Sequence, residues 1–256
     1  MRQFIQDEKL LLILNEIEKW LGYAIPVDAL PYRMWHTHGA AIGMNKAGWY
    51  YQYNPNDPAS QFTLCHELMH VILGIEGWPL IATPAPLILD HARNALYDRL
   101  INFPQHVVIN ERMFTLGYKE TDAQPQVQGN NQGSSHEEQA QTIPQAARGV
   151  KVKTHALCAA ELLLAPPGLL LAKINRNTLQ AEYPQCWTLT DAICRDAERH
   201  QPLDRQSGVD LLYSVLDIIS EPKENLRPLL SCIPHCPQFF DRMVAKLGQD
   251  WVPVCM

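Results

Sequence analysis

"QFTLCHELMHVILG", residues 61–74, sets two histidines four positions apart, with a glutamate directly after the first. On an α-helix, residues i and i+4 project from one face a turn apart, so His66 and His70 can present two imidazoles to one metal ion. Zinc favours nitrogen donors, and a catalytic zinc site keeps one coordination position open for water. Glu67 stands beside the first donor, where its carboxylate can take a proton from that water while the metal polarises a substrate carbonyl. H-E-x-x-H on a helix is the usual sequence sign of a metalloprotease. The competing reading is a pair of half-exposed histidines on an ordinary amphipathic helix, so the surroundings of the motif have to decide.

Those surroundings fit a helix. Asp57 and Pro58 read as its N-cap and first residue and Gly74 as its C-cap, and Leu64, Leu68, Val71 and Ile72 supply apolar packing surface. Ahead of it, residues 32–55 contain two β-prone runs flanking Asn45-Lys46-Ala47-Gly48, a hairpin turn. The chain opens on an amphipathic helix whose apolar run, "LLLIL", is too short for a signal-peptide core or a membrane span. After the motif, a helix is expected from Leu87 to Phe103, stopped by Pro104, and a shorter one through residues 105–117.

The segment "FTLCHELMHVIL" resembles the zincin metallopeptidases, and more narrowly the ImmA/IrrE-type peptidases, whose segment reads Phe-Thr-Leu-Ala-His-Glu-Leu-Gly-His. The likeness spans residues 30 to 117, hairpin included, and departs at Met69, where that family has glycine. It implies a zincin-like α+β core and intracellular proteolysis, often of a regulatory protein. His66 and His70 then become ligands and Glu67 the general base.

The same resemblance implies a third protein ligand downstream, a glutamate in that family. The helix from Leu87 carries His91, Asn94, Asp98 and Asn102 along one stripe, opposite Leu89, Ala92, Leu96, Leu100 and Phe103. That stripe has no Lys or Glu, unlike an ordinary solvated face. Asp98, twenty-eight residues after His70, is the nearest acidic match, and Asp90 points off the stripe. His106, one turn past Asn102, offers the better zinc donor by chemistry. Asp98 and His106 both stand as candidates.

Composition bounds the rest. At 256 residues, with 46% hydrophobic and 19% charged, the chain is long enough for a substantial core. A net charge of −6 provides no basic footprint for nucleic acid. Seven cysteines, without a regular framework or secretion signal, fit a reduced cytoplasmic setting. Residues 121–149 hold seven glutamines and little apolar content, and read as a flexible linker. The expected organisation is therefore a zincin-like domain over 1–120, that linker, and a helical region over 150–256 packed on the core. Within the last, "ALCAAELLLAPPGLLLAKI" (156–174) contains Glu161 and is broken at Pro166-Pro167-Gly168, and so reads as two packed elements.

Several other signals are read as structural. His36 and His38 alternate on a strand, "CIPHCP" (232–237) lacks a second pair at zinc-finger spacing, and Cys65 points away from the donor face. Tyr97 and Tyr118 have the chemistry to stabilise an oxyanion, and nothing selects either. The expectation is a mostly helical α+β fold holding Zn2+, acting on a protein or peptide substrate, with no nucleic-acid or membrane partner. An extended substrate is expected to add beside "GWYYQY", read as an edge strand. The alternatives are a non-catalytic zinc-containing binding or sensor protein, and hydrolysis of a non-peptide amide.

Overall fold

A computed structural model describes residues 2–29, 40–45, 47–53, 61–78, 80–82, 91–118, 145–166, 177, 180–181, 184–223, 226–229 and 235–250. The expectations that rest on Asp57, Pro58, His36, His38, Asp90, Cys232, residues 121–144 and the second half of the 156–174 stretch lie outside them. The fold is α+β and mostly helical. By internal contacts it comprises two compact units: Met1–Trp78 with Thr115–Gly129 and Ser231–Met256, and Pro79–Phe114 with Asn130–Leu230.

In the first unit, helix α1 (Glu8–Leu21) starts at Asp7, whose side chain accepts from the Lys9 N–H, and stops at Gly22 in the left-handed region. Its buried residues Leu10, Ile13, Leu14 and Ile17 recur at helical spacing and form one face. Each contributes about 1.5–3 kcal/mol by leaving water. This stripe packs on α2 (Gln61–Ile75) and on α7 (Phe239–Asp250), a helix from the far end of the chain.

Among the described residues the unit's sheet has three strands, β1 (Val27–Ala29), β2 (Ala40–Asn45) and β3 (Gly48–Tyr53). β2 and β3 form the expected hairpin, with Asn45 opposite Gly48. The Asn45 side chain accepts from the Ala47 N–H at 2.8 Å and so closes the turn. β3, however, is not an edge. The strand order is β1-β3-β2, with β1 pairing parallel to β3 on the side away from the hairpin. The expectation of an edge at "GWYYQY" is thereby corrected: β1 is three residues long and carries no alternating pattern that sequence could reveal. Among the described residues β2 is an outer strand, and it packs against α2.

α2 matches the expected motif helix but runs one residue past Gly74. Its stop is a Schellman arrangement: the Gly77 N–H bonds the Gly74 carbonyl and the Trp78 N–H bonds the Leu73 carbonyl, with Gly77 at φ +91. Gly74 serves packing instead, because a Cβ there would lie 2.5 Å from the ring of buried Trp49 on β3.

The second unit contains α3 (His91–Thr115, apart from its last residue), α4 (Gln145–Leu164), α5 (Pro184–Arg199), α6 (Arg205–Ile218) and a short antiparallel pair, β4 (Leu80–Ala82) with β5 (Arg227–Leu229). α3 is one continuous helix with Pro104 inside it, where sequence signals gave two helices split at that proline. An internal proline loses a backbone bond and costs about 3 kcal/mol. Leu96, Leu100, Phe103, Val107 and Ile109 are buried on both sides of Pro104 and offset that cost through packing. α4 packs on α5 and α5 on α6 around a core that includes Leu157, Ile193, Leu211 and Val215.

Candidate metal centre

His66 and His70 are set by α2 alone: their ring centroids are 5.0 Å apart and the planes meet at 77°. The rest of α2 is buried at Leu64, Cys65, Leu68, Met69, Val71 and Ile72, so the two histidines sit on its less buried face. Met69, where the resembling family has glycine, is a fully buried core side chain. Cys65 is buried too, and burial pushes its thiol up, as expected for a packing residue beside the donor face.

His106 is the third residue of a histidine cluster. The ligand atoms of His66, His70 and His106 all lie within 4.8 Å of one another, and among the described residues this is the cluster that can hold a metal ion. Asp98 is not part of the cluster, and its side chain is exposed. Helix geometry separates the two candidates: eight residues at about 100° each leave Asp98 and His106 roughly 80° apart around α3. The side chain of His91 lies outside the described residues.

His106 is fixed from behind. Its Nδ1 lies 2.8 Å from Oε1 of Glu161 on α4, so the carboxylate meets the ring on the side opposite Nε2. The other oxygen of Glu161 accepts from the Arg99 guanidinium at 2.9 Å. Arg99 and His106 are seven residues apart, within about 20° of the same stripe of α3, so one carboxylate reaches both. Burial works to raise the Glu161 carboxyl, but the hydrogen bond and charge of His106, and then Arg99, outweigh it and hold it below the usual carboxylate value. The sequence alone gave neither Arg99 nor Glu161 a role at the site. The available signal was a charged residue in the apolar run "ALCAAELLLA", since a buried Glu is almost always paired.

Glu67 faces the sheet. Its Oε2 accepts from the Ile42 N–H on β2 at 2.9 Å. Although the residue keeps some surface, its carboxylate lies deep enough that burial pushes its pKa up to about 8, against the smaller lowering effect of that hydrogen bond. Tyr51 on β3 lies nearby, and burial followed by the Glu67 charge raises its hydroxyl. Because Ile42 pairs with Tyr51 while its N–H points at Glu67, the outward backbone groups of β2 are those of Ile42 and its alternate neighbours Ala40 and Met44. Tyr97 and Tyr118 donate to other carboxylates, Tyr97 to Glu221 at 3.1 Å and Tyr118 to Asp7 at 2.7 Å.

No protein-family model, no curated protein and no solved structure matches the chain. Among the described residues no helix is long and apolar enough to cross a membrane.

Proposed function

We propose that this chain is a zinc-dependent peptidase of the zincin type, acting in the cytoplasm on a protein or peptide substrate. The observation that carries the reading is the triplet of His66, His70 and His106 within 4.8 Å, with Glu67 on the same helix as two of the donors. The donor set fits zinc, since three imidazoles satisfy its preference for nitrogen and leave the fourth tetrahedral position open. A bound zinc ion supplies Lewis acidity, lowering the pKa of water and polarising the scissile carbonyl. Glu67 is the general base and carries the proton to the departing amine. Its raised pKa favours holding that proton, and a divalent cation nearby favours the ionised form that accepts it. An extended substrate adds to the outer side of β2, where the backbone of Ala40 and Met44 is turned away from β3. The likeness of residues 62–73 to the ImmA/IrrE-type peptidases supports the same reading, including a regulatory protein as substrate.

The test is cleavage of an unstructured protein by zinc-loaded wild type and Glu67→Gln, with products read by mass spectrometry. The variant is expected to keep its fold and its zinc and to lose about 10²–10⁴-fold in rate, the usual cost of removing a general base. Equal cleavage by both proteins would remove Glu67 from the mechanism. Stoichiometric zinc with no hydrolysis by either protein would favour the non-catalytic binding alternative.

A further inference from the structure

The pairing behind His106 does more than fill space. Glu161 comes from α4, fifty-five residues away in sequence, and meets His106 and Arg99 with its two separate oxygens. Its side chain is 13% exposed and that of His106 12%, so the contact is largely shielded from water. A carboxylate so placed is costly unless charge and hydrogen bonds compensate it. Arg99 supplies the compensating charge, and that leaves Oε1 free to accept a proton donated by the histidine. Imidazole in its neutral form carries one proton, and which nitrogen holds it is decided by the partner of the other nitrogen.

We infer that Glu161, charge-balanced by Arg99, is a positioning residue for the metal centre: it keeps the His106 proton on Nδ1 and presents Nε2 as the third donor. This rests on the metal reading proposed above. The chemistry requires only a hydrogen bond. Nδ1–H donates to the Glu161 carboxylate, the ring is held in one orientation, and its Nε2 lone pair becomes more basic. Outer partners of this kind change metal affinity about 10–100-fold when removed.

The experiment uses the full chain as wild type, Glu161→Gln, and the double variant Arg99→Met/Glu161→Leu. The double variant removes both charges together, because exchanging a buried ion pair for apolar residues of similar volume is often neutral for folding, whereas removing one partner strands the other. Circular dichroism establishes that each protein is folded. Affinity is then measured with Zn2+ and Co2+ against a competing chelator, and the His106 tautomer by long-range 15N–1H correlation spectra of the metal-free protein at pH 8.5. The expected result is an Nδ1–H tautomer in wild type, loss of that preference in the double variant, and metal binding weaker by about 10–100-fold. Glu161→Gln keeps a neutral acceptor and is expected to fall between the two, which provides the affinity comparison if the double variant does not fold. Wild-type affinity in a folded double variant or, failing that, in Glu161→Gln overturns the inference, as does an Nε2–H tautomer in wild type. If wild type itself binds neither ion, the metal reading fails, and this inference fails with it. That outcome is separate from a wild type that binds and variants that bind equally well.

Discussion

His106→Ala set against Asp98→Ala tests the centre at its third donor. Structural zinc binding amounts to about 10–16 kcal/mol across four ligands. One imidazole is thus worth roughly 2.5–4 kcal/mol, and its loss raises Kd on the order of 10²–10³-fold. The effect can be read as stability, since a ligand that binds only the folded state adds RT ln(1 + [L]/Kd). With free zinc at about 1,000 times the wild-type Kd, the metal adds about 4.1 kcal/mol. At the same concentration His106→Ala retains about 0.4–1.4 kcal/mol. For a chain of this size each kcal/mol moves Tm by about 2–4 °C, so a zinc-dependent shift of about 8–16 °C falls to about 1–6 °C. Removing His106 also takes a partner from Glu161 and lowers the metal-free stability. Comparing each protein with and without zinc cancels that loss. Asp98 is exposed and outside the cluster, so Asp98→Ala keeps the wild-type shift. Thermal melts with and without zinc, backed by metal content after dialysis, decide the matter. A full shift in His106→Ala, or its loss in Asp98→Ala, would refute the assignment.

Two further perturbations test the scaffold. Gly77→Ala forces a side chain into the left-handed region at the end of the motif helix, where a Cβ would also meet His235, and is expected to cost about 1–2 kcal/mol in a urea melt; an unchanged midpoint would mean the Schellman stop is not needed. Asp204→Ala removes the capping box of α6, in which Asp204 and Ser207 each accept from the other's backbone N–H, at a cost of about 0.5–2 kcal/mol near pH 7. The Ser207 backbone and side-chain bonds hold the Asp204 carboxyl below its usual value. The charged cap's contribution is therefore complete above the unfolded-state pKa near 4 and is lost as pH falls through the lower folded value. Wild type and variant should converge in stability toward pH 2, and a constant difference down to that pH would contradict the role of the ionised carboxylate.

Sequence alone determined what depends on neighbours a few residues away. The i, i+4 spacing brings His66 and His70 together on any helix, and the polar turn at Asn45–Gly48 fixes the hairpin register. The apolar stripe of α1 follows from its own periodicity. These features are made by backbone bonds and side chains within a turn or two, so the pattern contains its own explanation. Tertiary structure decided the remainder. β3 became a central strand because three residues from before the hairpin pair with it. Pro104 became a helix-interior residue because core packing on both sides outweighs one missing hydrogen bond. His106 rather than Asp98 joined the two motif histidines, since helical phase carried through that proline turns one candidate roughly 80° from the other. The Glu161 that holds His106 is fifty-five residues distant, and a single buried carboxylate names no partner until helices pack. A donor's chemistry is local, but its aim depends on contacts between segments far apart in the chain, and only the folded chain sets those.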